Sequence, residues 1–153
     1  MKAVVQRVVD ASVAVDGKIT GKIKSGLLVY LGVAKDDGQS DADWLADKIV
    51  HLRIFNDKDG KMNLSLKDLH NNEPNTGVLA ISQFTLLADS RKGRRPSWNG
   101  AALPEKAKQL YEYFIEKIRQ LGLVCESGEF QAHMMVSYIN DGPVTIILDT
   151  AAI

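Results

Sequence analysis

Apolar and polar side chains alternate along residues 2–15. Ala3, Val5, Val9, Ala11, Val13 and Val15 share one side at a period of two, which predicts a half-buried strand. Asp16-Gly17 is the two-residue signal of a type I′ hairpin, so the chain returns through Lys18–Ile23. After a second break at Ser25-Gly26, the continuous apolar run LLVYLGVA predicts a central strand covered on both faces. The period then changes. Ser40 with Asp43 three residues on reads as a capping box, and Leu45, Ile49 and Leu52 follow at i, i+4, i+7, giving a helix of about fifteen residues. Residues 56–75 are polar and turn-rich, with a short strand near Met62–Leu66, and Thr76–Leu87 reads as a long strand. A second helix opens at Pro104, a favourable first helical position. Ala107, Leu110, Phe114, Ile118 and Leu121 form its buried stripe, and Gly122 closes it. Strands near 123–126, 130–139 and 143–149 complete the chain.

This order of elements predicts an α+β fold: a mostly antiparallel, curled or barrel-like sheet with two main helices packed outside. With no repeat, low-complexity tract or long linker, residues 1–153 are expected to form a single domain.

Composition narrows the setting. The chain is 45% apolar and 25% charged, as soluble globular proteins are. No signal-peptide core and no membrane-length apolar run is present, and Cys125 is the single cysteine, so a cytoplasmic protein without a membrane partner is expected. With 19 basic and 19 acidic residues the net charge is zero, so any contact with nucleic acid must rest on a local patch. One such patch is Arg91-Lys92-Gly93-Arg94-Arg95. By itself it reads first as a solvated loop, since charge runs are usually plain surface.

Familiar catalytic signatures are missing: there is no nucleophile elbow, Walker loop, H-E-x-x-H or dinucleotide fingerprint. His51, His70, His133 and Cys125 are too scattered for a metal site, and no cofactor is expected. Asp57-Lys58-Asp59-Gly60 has its glycine at the wrong place for a calcium loop and reads as a surface turn.

Three features stand out from plain structure. In Ser82-Gln83-Phe84-Thr85-Leu86, a strand would put Ser82 with Phe84 on one face and Gln83 with Thr85 on the other; this is a polar site at a strand end or a solvent-facing side. Asn140-Asp141-Gly142-Pro143-Val144-Thr145 carries the usual turn residues, and its proline is a candidate for a cis bond. Arg7 interrupts an apolar face, so either it points inward to an anionic partner or a β-bulge shifts the register. His133 reads as a pocket residue or an exposed strand residue, and the second is preferred.

Taken in order, these segments resemble the D-aminoacyl-tRNA deacylase family over essentially the whole chain. The resemblance is carried by Met1 to Val15 with Gln6-Arg7-Val8, Gly26-Leu27-Leu28-Val29 leading to Gly32-Val33, and Ser82-Gln83-Phe84-Thr85-Leu86. It continues through Lys92-Gly93, Arg95-Pro96-Ser97 and Asn140-Asp141-Gly142-Pro143-Val144-Thr145. One departure is Gln131, where the family commonly has glycine. The resemblance implies a homodimer with active sites near the subunit interface, a cis Gly142-Pro143 bond reaching into the partner's pocket to reject L-amino acids, a catalytic pocket lined by Ser82, Gln83, Phe84 and Thr85, and Arg7 holding the terminal adenosine. It also implies a substrate: tRNA charged with a D-amino acid, or glycyl-tRNA mischarged on tRNA(Ala), with the Arg91, Lys92, Arg94 and Arg95 loop on its phosphates.

An aminoacyl ester is already activated, so orientation and charge stabilisation suffice, and backbone N–H groups near Phe84 and Thr85 suit an oxyanion hole. Two mechanisms remain open, Thr85 as nucleophile or attack by water assisted by the substrate's 2′-hydroxyl, and the second is preferred because no base for Thr85 is identified. The alternatives from other classes are a non-catalytic tRNA-binding module and a general small-ester hydrolase.

Overall fold

The computed structural model of the chain describes residues 1–71, 73 and 75–152. Asn72, Pro74 and Ile153 lie outside the described residues, and with them part of the polar 56–75 segment.

The fold grows from one long strand, β1 (Lys2–Val15). Asp16 and Gly17 both adopt positive φ (49° and 77°), as a type I′ turn requires, and return the chain as β2 (Lys18–Ile23). β3 (Gly26–Gly32) then pairs antiparallel with residues 2–8 of β1, while β2 pairs with residues 11–15. Helix α1 (Gln39–His51), the small hairpin β4 (Phe55–Asn56) and β5 (Met62–Leu64), and the short helix α2 (Leu66–His70) follow. Next come β6 (Gly77–Ser82), α3 (Pro104–Gln120), β7 (Val124–Ser127) and β8 (Met135–Asp149). Among the described residues six strands form the main sheet, ordered β2-β1-β3-β6-β7 with β8 on the other side of β1. The β3–β6 and β6–β7 pairs are parallel, and α1 and α3 lie in the crossovers that such pairs need. The sheet curls until β2 meets β7. A side chain at Gly21 would come within 2.6 Å of the Ser127 carbonyl oxygen, so only glycine admits this approach.

The curled sheet has two apolar faces. Val8, Ala11, Val13, Ile23, Leu28, Leu79 and Ile81 fill its inside. Ala3, Val5, Leu27, Val29, Leu31, Val78 and Ala80 pack on the outside against Leu45 and Ile49 of α1 and Phe114 and Ile118 of α3. Strands β3 and β6 are therefore buried on both sides, which is why they read as unbroken apolar runs. Met1 closes one end: its buried α-ammonium lies 2.6 Å from Asp37 Oδ1 and also donates to Thr150 Oγ1.

Several expectations need correction. The apolar residues of β1 do not share one face. Val8 pairs with Asn140 but Asp10 pairs with Ile139, so Val9 is an extra residue, half exposed, and the inward face passes from even to odd numbers. Helix α1 begins earlier than a Ser40 cap implies: Gly38 is the capping residue, and Asp41 Oδ2 accepts its N–H at 2.8 Å. A capped turn of helix follows Ser65 in place of the expected strand end, with Asp68 accepting from both the Ser65 N–H and hydroxyl. β6 stops at Ser82, and Phe84–Leu87 is a 3-10 turn rather than a continued strand.

The largest difference is at the C-terminus. Asn140–Pro143 is no hairpin turn, because both halves of β8 pair with β1 in one direction. Gln6 faces Thr145 and Val8 faces Asn140, so Asp141, Gly142, Pro143 and Val144 bulge out opposite Arg7 alone. β8 also starts at Met135 rather than 130, because Glu129–Ala132 forms a turn closed by the Ala132 N–H on the Glu129 carbonyl at 3.3 Å.

Candidate functional site

A cavity of about 540 Å³ opens where the parallel strands β3 and β6 end. Carboxyl ends of parallel strands are the usual place for a ligand crevice, because the chain leaves the sheet there in diverging loops. Leu31 and Val33 leave β3 on one side, and Ile81, Ser82, Gln83 and Phe84 leave β6 on the other. Pro104 and Ala107 at the start of α3 and residues 130–134 complete the wall.

The turn after β6 sets the chemistry. The Gln83 N–H donates to the Leu31 carbonyl at 2.8 Å, anchoring the chain to β3 before the 3-10 turn begins. Leu86 N–H closes that turn on the Gln83 carbonyl at 3.3 Å. Phe84 and Thr85 are its first two residues, so their N–H groups have no acceptor inside the turn. The Thr85 hydroxyl accepts from Gln83 Nε2. Among the described residues no histidine or carboxylate bonds to it, so nothing there activates it as a nucleophile.

The opposite wall is a tight turn. Gln131 has φ of +65°, at the third position of the Glu129–Ala132 turn, where a positive φ ordinarily calls for glycine. Phe130 beside it packs on the Tyr111 ring, centroids 6.0 Å apart. Tyr111 donates to the Ala80 carbonyl at 2.8 Å, and burial pushes its ionisation well above the ordinary phenol range. His133 also lines the cavity and is exposed; it lies in the loop before β8, not in a strand.

Arg7 is only 7% exposed and is not part of the cavity wall. Its Nη1 donates to the Ile54 carbonyl at 2.6 Å and lies 3.5 Å from Asn56 Oδ1. Its Nε pairs with Asp141 Oδ2 at 2.8 Å, an ionic contact without hydrogen-bond alignment. Both readings of Arg7 thus hold together: it points inward to an anion, and the strand bulges beside it. Asn140 closes the bulge, donating from Nδ2 to the carbonyls of Arg7 (2.9 Å) and Val144 (3.0 Å). The Gly142–Pro143 peptide is cis, and Gly142 has φ of +119°. A Cβ there would meet Val144 Cγ2 at 2.7 Å and Arg7 Nη2 at 3.2 Å, so glycine is required by both space and conformation. Neither Gly142 nor Pro143 lines the cavity of the same chain, and both are exposed.

The basic loop follows the 3-10 turn in the chain, and Arg91, Lys92, Arg94 and Arg95 are all exposed. Arg91 is engaged by Asp89 through Nε (2.9 Å) and Nη2 (2.7 Å), and this guanidinium holds the Asp89 carboxyl well below the usual range. The structure therefore brings together Ser82, Gln83, Phe84 and Thr85, and places Arg7, Gly142 and Pro143 in a second group. Phe130, Gln131, His133, Asp141 and Asn140 complete the two groups. Of these, Gln131 and the Asn140-Asp141 motif carried a signal in the sequence, His133 was the less favoured pocket reading, and Phe130 carried none. Among the described residues no group of His, Cys, Asp or Glu is arranged to hold a metal, and no helix is long and apolar enough to cross a membrane.

An α+β barrel-like sheet with a cavity at its parallel strand ends, walled by backbone donors rather than by a catalytic triad, defines a class that recurs among solved structures. A structure described as a c-Myc DNA unwinding element binding protein superposes with a TM-score of 0.89 at 39% identity, over 98% of this chain and 99% of that one. A probable eukaryotic D-amino acid tRNA deacylase shares the fold at a TM-score of 0.79 and 16% identity, covering 96% and 97%. The chain belongs to the D-Tyr-tRNA(Tyr) deacylase family, whose model matches residues 4–149. It is 57% identical to a D-aminoacyl-tRNA deacylase of Thermotoga petrophila over 151 residues, 99% of this chain and 98% of the relative. Against the enzyme of that name from Koribacter versatilis it is 58% identical over 150 residues, 98% and 97% of the two chains. Membership makes the chain an enzyme of the deacylase class, a hydrolase.

Proposed function

We propose that this chain hydrolyses the ester bond of D-aminoacyl-tRNA, releasing free D-amino acid and tRNA. Residues 1–153 act as one catalytic domain, in the cytoplasm, as a homodimer and without a cofactor. The observation that carries this reading is the turn after β6: Ser82, Gln83 and Phe84 line the cavity, and Phe84 and Thr85 offer two N–H groups without an internal acceptor. Such donors stabilise the negative charge that builds on an ester oxygen during attack. Water adds to the carbonyl carbon, the ester C–O bond breaks, and the ribose oxygen leaves with a proton. The vicinal 2′-hydroxyl of the substrate assists that proton transfer, because Thr85 lacks a base and its hydroxyl is held by Gln83.

Rejection of L-amino acids falls to the exposed Gly142–Pro143 segment, reaching into the cavity of a second subunit. Support for the dimer comes from β8, which among the described residues pairs on one side only and exposes Met135 (65%), Ile139 (61%) and Ile147 (75%). A long apolar edge of this kind is normally covered. A wall of backbone atoms acts on the α-carbon substituent whatever the side chain is, so many D-amino acids are accepted, and so is glycine, including glycine mischarged on tRNA(Ala). Time courses with D- and L-tyrosyl-tRNA side by side test the reading: selective loss of the D-ester is expected, and equal decay of both overturns it. Glycyl-tRNA resistant at high enzyme concentration removes the steric screen.

A second reading, a nucleic-acid-binding module without turnover, is favoured by one observation: the 39% identical structure is described as a DNA-binding protein. It predicts binding of tRNA with both esters intact.

A further inference from the structure

Beside the cavity stand two aromatic rings that the reaction leaves without a role in common. Phe84 is 57% exposed and Trp98 40% exposed, and their centroids lie 5.7 Å apart with the planes at 61°, edge to face. Phe84 forms part of the cavity wall, so Trp98 stands one ring further out, on the lip. Backbone hydrogen bonds fix its place. Asp89 and Ser97 exchange two of them (2.7 and 2.9 Å), pinning the base of the basic loop, and Trp98 follows at once. The Ala101 N–H then closes a turn on the Trp98 carbonyl at 2.9 Å.

The loop so pinned carries more positive charge than its one ion pair neutralises. Arg91 is taken up by Asp89, but among the described residues Lys92, Arg94 and Arg95 have no ion-pair or hydrogen-bond partner. Exposed rings flanked by free cations match the surface that grips single-stranded nucleic acid: bases stack on the rings and phosphates meet the cations. Closely spaced exposed cations next to a pair of exposed rings suit a ligand that repeats a charge and a flat ring along its length, which favours a nucleic-acid strand over a protein.

We propose that Trp98, supported edge-on by Phe84, is a stacking platform for the unpaired base immediately 5′ of the nucleotide that bears the ester, with Lys92, Arg94 and Arg95 on the adjoining phosphates. This rests on the deacylase reading and adds a subsite to it. Stacking is tolerant of base identity, so the platform recognises an unpaired 3′ end rather than a particular tRNA.

The test compares D-tyrosyl-tRNA with D-tyrosyl-adenosine, which has the terminal nucleoside and nothing 5′ of it. Trp98→Ala is expected to raise KM for the tRNA substrate about ten-fold, the effect of losing one stacked base, and to change kcat less than about two-fold. Kinetics on D-tyrosyl-adenosine should not move, and Trp98→Phe should restore most of the tRNA affinity. An equal loss on both substrates, or on neither, overturns the platform. A readout free of catalysis uses Trp44→Phe, which leaves Trp98 as the sole indole. Titration with a single-stranded CCA ribonucleotide should quench its fluorescence saturably, and a flat titration overturns the proposal. If the unsubstituted chain leaves D-tyrosyl-tRNA intact while the quenching persists, the deacylase reading falls and the platform stands.

Discussion

The Arg7 guanidinium lies 2.8 Å from the Asp141 carboxylate, across the single point where β8 bulges away from β1. Arg7 is buried and Asp141 is half exposed, so the arginine is the member that depends on the pair. It ties the bulge carrying Gly142 and Pro143 to the Ile54 carbonyl behind it. Replacing Arg7 with alanine strands that carbonyl and the carboxylate, and is expected to cost about 2 kcal/mol in urea denaturation. Arg7→Lys recovers little, since one ammonium cannot serve both sides of a planar fork. Asp141→Asn should cost less than about 1 kcal/mol because water already screens that side chain. If all three variants match the parent in stability, Arg7 does not anchor the bulge.

Thr85→Ala is expected to lower the single-turnover rate by less than about ten-fold, since a hydroxyl without a base is a poor nucleophile. A substrate ending in 2′-deoxyadenosine should be slower by about 10²–10⁴, the range of general acid–base assistance. A drop of about a thousand-fold on removing the Thr85 hydroxyl, with the deoxy substrate unaffected, reverses the assignment.

Neutralising Arg94 and Arg95 together should weaken binding to every tRNA alike. The slope of log K against log salt should flatten by about 1 for each phosphate that is no longer neutralised. Arg91→Ala should flatten it less, because Asp89 already holds that charge. Equal salt slopes in all variants would return the loop to a merely solvated role.

Gln131 occupies a left-handed backbone position. That conformation costs a non-glycine residue about 1–2 kcal/mol, against which glycine's extra chain entropy sets about 0.5–1 kcal/mol. Gln131→Gly should therefore leave urea stability unchanged or raise it by up to about 1.5 kcal/mol. Gln131→Val should be less stable than either. Because Gln131 lines the cavity, the glycine variant should also accept bulkier D-amino acids more readily, read as a ratio of kcat/KM values.

Burial pushes the Cys125 thiol up to about 12. A folded-state pKa above the unfolded value means that stability is full below about 9, where neither state ionises, and is lost as pH rises toward 12. Urea midpoints should fall across that window, and Cys125→Ala should flatten the fall. At pH 8 the native thiol should resist iodoacetamide that labels the unfolded chain at once.

Much of the frame is legible in the sequence because it depends on local order. Asp16-Gly17 names its turn, Pro104 and Gly122 bracket α3, and the doubly apolar β3 announces its own burial. The residues Ser82–Thr85 are legible as a motif too, although the same pattern extends their strand too far, because alternation cannot tell a strand end from a 3-10 turn. What lies beyond reach is register. The extra residue at Val9 swaps the faces of β1, and the pairing of Asp141–Val144 against Arg7 turns an apparent hairpin into a bulge. Both depend on partners more than a hundred residues away in the chain, and no local preference encodes which of them wins. The sequence by itself determined the elements, the family resemblance and the candidate motifs. Only the folded sheet decided that Arg7 is buried under the Gly142–Pro143 bulge and that Trp98 stands beside Phe84, because pairing across a curled sheet, rather than spacing along it, brings such residues together.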